Sequence, residues 1–173
     1  MERKNQALRE RLTDLLHEWN ASGKPTRTGF QSSAKEMIHW KKKNHVSGLW
    51  EIPPLLTTAT IDDGWGHGLE LIHLWAKVVG LKVQFLGLLL TPEEIIRKCL
   101  QIHPDFLGMT VLQFDTEDDL ILITRNLPPK TRLIAGGPIF GPDPELAKRT
   151  GIHFVAGNAA DFLSFMLTFE PDK

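Results

Sequence analysis

The chain has 173 residues, of which 42% are hydrophobic and 24% are charged, and its formal net charge is −1. This composition is typical of a soluble globular protein, and the balanced charge excludes a global attraction to nucleic acid or to an anionic membrane. The single cysteine, Cys99, permits neither an internal disulfide nor a thiolate metal cluster, and we expect a buried thiol. The N-terminus lacks the apolar segment of a signal peptide and no apolar run could span a bilayer, so we expect a cytoplasmic protein.

The first 50 residues are predicted to form a helical segment. Apolar residues recur at helical spacing over residues 3–19, which indicates an amphipathic helix that ends near Trp19. Residues 33–36 have the pattern of a capping box, which predicts that a second, shorter helix begins at Ser33. Two prolines then favour an extended connector over residues 48–54. Residues 51–173 are expected to form the second domain.

From Leu55 onward, strand-like runs alternate with helical patterns five times. The start signal Thr91-Pro92-Glu93-Glu94 is strong, and Asp143-Pro144-Glu145 resembles it. Acidic residues 115–119 are interpreted as a helix cap and first turn rather than as a catalytic cluster. The alternation predicts an α/β fold, namely a flavodoxin-like (Rossmann-like), doubly wound, five-stranded parallel sheet. The strands are predicted at 55–61, 81–86, 105–112, 132–135 and 152–156, and the helices are predicted to begin near His67, Thr91, Thr116, Asp143 and Asn158.

Three loops at predicted strand ends are unusual for their glycines. They cover residues 62–68, 108–112 and 135–138. Ligands of open parallel sheets bind at the carboxyl ends of the strands, so these loops form the candidate binding edge. The first loop has neither the GxGxxG spacing of a dinucleotide site nor the lysine of a P-loop. A response-regulator receiver is also disfavoured, because the third strand ends without an aspartate and the fifth contains no lysine.

Together, the loops resemble the cobalamin (vitamin B12)-binding domain family, which includes the cobalamin module of methionine synthase and the corrinoid proteins of methyltransferase systems. The family motif is Asp-x-His-x-x-Gly, then Ser-x-Leu about forty residues later, then Gly-Gly. Here the motif begins with Asp63-Gly64-Trp65-Gly66-His67-Gly68, and 41 residues separate Gly68 from Thr110. The second segment is Thr110-Val111-Leu112, in which threonine keeps the hydroxyl, and the third is Gly136-Gly137. The interval between the last two is a few residues shorter than in the family.

The resemblance implies a cobalt corrinoid, cobalamin, as the cofactor. Its nucleotide tail, detached from cobalt, would lie in a slot at the sheet edge, and the corrin ring would lie over residues 63–67. A valine in place of Gly137 is expected to block the slot and leave the fold intact. The implied cofactor-binding residues are Asp63, Gly64, Trp65, Gly66, His67, Gly68, Thr110, Leu112, Gly136, Gly137, Gly157, Asn158 and Ala159.

Trp65 stands where the family has its cobalt-ligating histidine. Indole offers no lone pair to a metal, so we expect cobalamin to be bound base-off without a protein histidine on cobalt. His67 is the alternative ligand, displaced by two residues. Asp63, which in the family holds the histidine, is expected either to cap its loop or to bind the indole N–H. No residue is predicted to be a metal ligand or a catalytic group.

The resemblance further implies a methyl-carrying protein that works with a partner methyltransferase or another corrinoid-dependent enzyme. Whether the chain itself counts as an enzyme is open, since any methyltransferase catalysis would need other polypeptides. The alternative is a non-enzymatic cobalamin carrier or storage protein. Trp40 or Trp50 could cover the upper face of the ring, although packing is the commoner fate of such residues. The sequence names neither a methyl donor nor an acceptor.

Overall fold

The computed structural model describes residues 2–171, with side chains from residue 5 onward. Within it the chain forms two compact units. The first, here the helical unit, comprises Met1–Pro54, Leu71–Lys82 and Asn158–Lys173, and the second, here the sheet unit, comprises Leu55–Glu70 and Val83–Gly157. The units do not follow the predicted boundary at residue 50, which stays a prediction. Met1, Asp172 and Lys173, which the predicted domains include, lie outside the described residues.

The sheet unit is built on five parallel strands flanked by helices. Their order is β2-β1-β3-β4-β5, which confirms the predicted flavodoxin-like α/β fold. The central strand β3 is completely buried, as expected for a strand covered on both faces. The strands are β1 (Leu55–Thr60), β2 (Lys82–Gly87), β3 (Phe106–Thr110), β4 (Arg132–Gly136) and β5 (Phe154–Val155).

In the part of the chain that the structure describes, seven α-helices accompany the strands. The last five alternate with the strands as predicted, and 3₁₀ turns at Phe114–Thr116 and Pro138–Phe140 follow β3 and β4. The helices are α1 (Glu2–Ser22), α2 (Arg27–Asn44), α3 (His67–Val79), α4 (Pro92–Ile102), α5 (Glu117–Asn126), α6 (Leu146–Thr150) and α7 (Ala159–Thr168). Within residues 2–171, every helix is too short or too polar to cross a lipid bilayer.

Side-chain capping explains where three of these helices, α2, α4 and α7, begin. Thr91 and Glu94 form the predicted capping box at the start of α4. The Asn158 side chain accepts the backbone N–H groups of Ala160 and Asp161 at the start of α7. Helix α6 begins at Leu146, three residues after the start predicted near Asp143. The Asp143 carboxylate accepts backbone hydrogen bonds from Glu145 and Leu146 at this end of α6, and it also accepts hydrogen bonds from Arg149, at 2.7 and 3.1 Å.

The predicted start of the second helix is wrong. Helix α2 begins at Arg27, capped by the Thr26 side chain, and Ser33 lies inside it. A cap pattern within a continuing helix has no effect, since the backbone N–H groups there already have helical partners. In the same unit, the Lys41 ammonium donates to the carbonyls of Lys77 and Val78 at the end of α3, at 2.7 Å each. Burial, and then Lys77, lower the pKa of Lys41 to about 8.

The tryptophans of the helical unit are used for packing. The Trp19 ring meets the rings of Phe30 and Trp75 edge-to-face, with centroids 5.0 and 5.4 Å away. Trp50 is buried and its indole donates to the carbonyl of Phe169. Trp40 lies under the guanidinium of Arg11 at 5.2 Å. These contacts give both Trp40 and Trp50 structural partners inside their own unit.

Candidate functional site

The loop after β1 is closed on itself by one buried carboxylate. Asp63 Oδ1 accepts the backbone N–H groups of Trp65 and Gly66, at 2.8 and 3.0 Å. The Thr60 hydroxyl donates to the carbonyl of Asp63 at 2.5 Å. Asp63 is only 5% exposed, so these bonds lie away from competing water. Two roles were expected for Asp63, namely capping its loop or accepting the indole N–H of Trp65. The structure shows the first of them.

Trp65 projects from this closed loop into solvent. Its side chain is 80% exposed, which is unusual for the largest apolar residue. The indole lies parallel to the ring of His67, with centroids 6.2 Å apart and an interplanar angle of 10°. His67 is the first residue of α3, and its Nδ1 is 3.7 Å from a carboxylate oxygen of Glu70. The loop thus presents a stacked aromatic pair at the edge of the sheet.

The second motif segment meets the first at the end of β3. Thr110 is buried, and its hydroxyl lies 3.5 Å from Asp63 Oδ2. Gly68 packs directly against Thr110, because a Cβ on Gly68 would lie 2.3 Å from Thr110 Cγ2. Thr110 is also in register with Thr60 on β1 and with Gly136 on β4. Three segments far apart in the sequence therefore converge around Thr110.

The Gly136-Gly137 pair is required by the backbone of the protein itself. A Cβ on Gly137 would lie 1.9 Å from the carbonyl oxygen of Val111, and its φ of +133° disfavours any side chain. A Cβ on Gly136 would lie 2.8 Å from the carbonyl oxygen of Ala156. The expectation that valine at position 137 leaves the fold intact is therefore wrong. The pair still leaves bare backbone at the strand end.

Asp62 is a site residue that the sequence did not reveal. Its Oδ2 accepts the backbone N–H groups of Leu112 and Gln113 at 2.8 Å each, which joins the loops after β1 and β3. Its Oδ1 is buried, with no hydrogen-bond partner among the described residues. The only signal in the sequence was a second acidic residue beside Asp63, and acidic residues are common in loops.

The remaining predicted residues differ in exposure. Leu112 is 40% exposed, and Gly64 is also exposed. Gly157 is exposed after β5, at the end of the sheet unit. Asn158 and Ala159 belong to the helical unit, where Asn158 caps α7 and Ala159 is buried. Among the described residues, no group of three or more His, Cys, Asp or Glu side chains could hold a metal ion.

The binding edge fits a large, mostly apolar ligand better than a small anion. Trp65 and Leu112 expose apolar surface there, and so do two residues not predicted from the sequence, Leu89 after β2 (59% exposed) and Phe114 after β3 (63% exposed). Apolar side chains held in solvent at a ligand-binding edge indicate a binding surface. A corrin, which is a broad macrocycle with a long flexible tail, is compatible with such an edge.

The strand order and the loops define a flavodoxin-like α/β protein with a candidate ligand-binding edge. No family model matches the sequence, and no curated protein does. Among solved structures, a novel cobalamin-binding protein from Desulfitobacterium hafniense DCB-2 matches with a TM-score of 0.74 at 18% identity, over 93% of this chain and 78% of that one. The monomethylamine corrinoid protein of Methanosarcina barkeri matches with a TM-score of 0.59 at 15% identity, over 96% of each chain. At these identities, the matches establish a shared fold.

Proposed function

We propose that this protein binds cobalamin base-off, without a protein histidine on cobalt, and acts as the methyl-carrying partner of a corrinoid methyltransferase system. The observation that carries the proposal is the convergence of Asp63, Gly68, Thr110 and Gly136 at one point of the sheet edge. The motif of the cobalamin-binding family places its residues in the same three loops. The shared fold with a cobalamin-binding protein and a corrinoid protein supports the same conclusion.

In this proposal the chain binds, orients and shields the cofactor. The bare backbone at Gly136 and Gly137, together with the hydroxyl of Thr110, would hold the nucleotide tail. The exposed indole of Trp65 would lie under the corrin and exclude water from the lower face of the metal. When bound, cobalamin supplies a cobalt centre that can carry a methyl group between a donor and an acceptor.

The aromatic pair supports the absence of a histidine ligand. Indole has no lone pair for a metal. The rings of Trp65 and His67 are within 10° of parallel. With the indole face-on to the corrin, the nitrogen lone pairs of His67 would also run parallel to the macrocycle, because they lie in the imidazole plane. They would then not point along the axial direction of the metal.

The test is reconstitution of the purified protein with hydroxocobalamin, followed by gel filtration and absorption spectroscopy. We expect the cobalamin to co-elute with the protein and to show the spectrum of the base-off form. The absence of co-eluting cobalamin would refute the proposal. A bound cofactor with a base-on spectrum would refute the tail-slot arrangement, because the tail base would then still be on cobalt.

A methyl-carrying protein and a storage protein differ in how easily the bound cobalt must be reduced. When bound, cobalamin would supply cobalt whose reduced form is the nucleophile for a methyl group, and a site in which Trp65 offers no nitrogen would favour that form. We expect the potential of the Co(II)/Co(I) couple to be higher in the wild type than in Trp65→His. Potentiometric titration of both proteins measures this difference. Equal potentials, with imidazole ligation confirmed in the variant, would favour the carrier or storage role.

A further inference from the structure

The loop after β2 is fixed against the loop that carries Trp65. Leu89 donates its backbone N–H to the hydroxyl of Thr60 at 3.0 Å, and Leu90 donates to the Thr60 carbonyl at 2.9 Å. A Cβ on Gly64 would lie 3.4 Å from Leu89 Cδ1, in ordinary van der Waals contact, and a Cβ on Gly66 would lie 3.0 Å from Leu88 Cδ2. Gly66 therefore gives Leu88 room to approach, and Gly64 lies beside Leu89.

Leu89 is held in an unfavourable conformation and in an unfavourable environment. Its φ is +51°, in the left-handed region that leucine rarely adopts. Its side chain is nevertheless 59% exposed, so packing in this protein does not compensate for the strain. Strained residues at the edge of a binding site are often part of its function. The two hydrogen bonds to Thr60 explain how the backbone conformation of Leu89 is maintained. They do not explain why a leucine side chain is exposed to solvent at this position.

The strand order places this leucine beside the aromatic pair. β2 and β1 are neighbours, and so are β1 and β3. Their three loops end at the same edge, and each holds an apolar side chain out into solvent, namely Leu89, Trp65 and Phe114. A single broad apolar ligand that contacts all three loops would account for this exposure.

We propose that Leu89 contacts the face of the corrin macrocycle. Together with Trp65, it would form the apolar surface on which the macrocycle lies. This inference rests on the proposed function, since it names a residue of the same site. The macrocycle, rather than the nucleotide tail, is the part of the ligand that fits this position. The loop bearing Leu89 contacts Gly64 in the loop over which the corrin ring would lie. It lies on the opposite side of β1 from the loops after β3 and β4, which are assigned to the tail. Leu89 lies outside the three segments of the family motif, so the resemblance does not assign it.

The experiment compares two corrinoids and three variants. Leu89→Gly and Leu89→Asn remove the apolar side chain with residues that tolerate a positive φ. Leu100→Gln is the matched control, since Leu100 is 48% exposed on α4. Affinities are measured by absorption titration with hydroxocobalamin and with cobinamide, which has the ring but lacks the nucleotide tail. Thermal unfolding is recorded for each cofactor-free protein.

For both Leu89 variants, we expect affinity for both corrinoids to fall about tenfold, the effect of losing one buried leucine contact. The Tm of cofactor-free Leu89→Gly should be unchanged or higher, because the strain is relieved. Leu100→Gln should leave both affinities unchanged.

Unchanged affinities in the Leu89 variants would overturn the inference and show that Leu89 faces a different partner. Weaker binding of hydroxocobalamin alone would also overturn it, because Leu89 would then support the tail. If the wild type bound hydroxocobalamin but not cobinamide, the inference would also be overturned, because contacts to the ring would then contribute little to the affinity. A wild type that bound neither corrinoid would overturn the proposed function itself, and the inference with it.

Discussion

The carboxylate of Asp63 accepts the backbone N–H of Trp65 at 2.8 Å. The family that this chain resembles uses the corresponding aspartate to hold a histidine side chain. Here the carboxylate holds the main chain of residue 65, and the indole is left free to face solvent. Asp63 therefore has a role in this loop that does not depend on a metal.

Asp63→Ala should open this loop. Two backbone N–H groups, that of Gly66 buried and that of Trp65 partly buried, would lose their acceptor, so we expect the free energy of unfolding to fall by about 1–3 kcal/mol. Asp63→Asn is the matched control, since its amide oxygen can still accept both N–H groups and it should lose much less. Urea unfolding followed by circular dichroism measures both values. Equal stability of Asp63→Ala and the wild type would show that the loop cap is not stabilising.

The fold could be predicted from the sequence because its signals are local. The three inner strands, β1, β3 and β4, are largely buried, as expected for strands covered on both faces, and Thr91 with Glu94 forms the capping box that the pattern indicated. The cap prediction at Ser33 was wrong for a physical reason. A cap side chain acts only where backbone N–H groups are free, and Ser33 lies inside α2, where these groups already have helical partners.

Gly137→Ala should strongly destabilise the protein. The added Cβ would lie 1.9 Å from the Val111 carbonyl oxygen, at a φ of +133°. We expect a loss of about 3 kcal/mol or more, from the steric clash and the strained backbone together. Gly141→Ala is the control, because its Cβ would meet only the Pro138 carbonyl oxygen, at 3.8 Å. Thermal unfolding compares the two, and an equal Tm for both variants would contradict the close backbone contact.

The candidate site was only partly visible in the sequence. The spacing of glycines and of Thr110 pointed to the carboxyl ends of the parallel strands, and the structure brings Gly68, Thr110 and Gly136 together there. Asp62 and Leu89 were missed, because their importance comes from conformation. Asp62 links two loops through backbone N–H groups, and Leu89 has a positive φ. No residue pattern specifies either feature.

His153 should make stability depend on pH. Its Nδ1 accepts the backbone N–H of Leu133 at 3.0 Å, which requires the neutral imidazole. Partial burial of the imidazole, and then Arg132, lower the pKa of His153 from the usual 6.5. Because the unfolded chain binds the proton more readily, this contribution to stability is present above pH 6.5 and is lost as the pH falls below it.

The measurement is the urea unfolding midpoint between about pH 8 and about pH 5. The midpoint should fall with pH in the wild type, and the slope should be smaller in His153→Gln. His39→Gln, a change at an exposed residue of α2, should keep the wild-type slope. The same slope in His153→Gln as in the wild type would exclude His153 as the group responsible.

The most direct test of the central claim is electron paramagnetic resonance of the protein with cobalamin in the Co(II) state. Free cobalamin at neutral pH carries its own benzimidazole nitrogen on cobalt and shows nitrogen superhyperfine splitting. We predict that this splitting disappears when the protein is added, because the tail base leaves the metal and Trp65 supplies no nitrogen in its place. A persisting nitrogen triplet would contradict the account, and its loss in His67→Ala would identify His67 as the ligand.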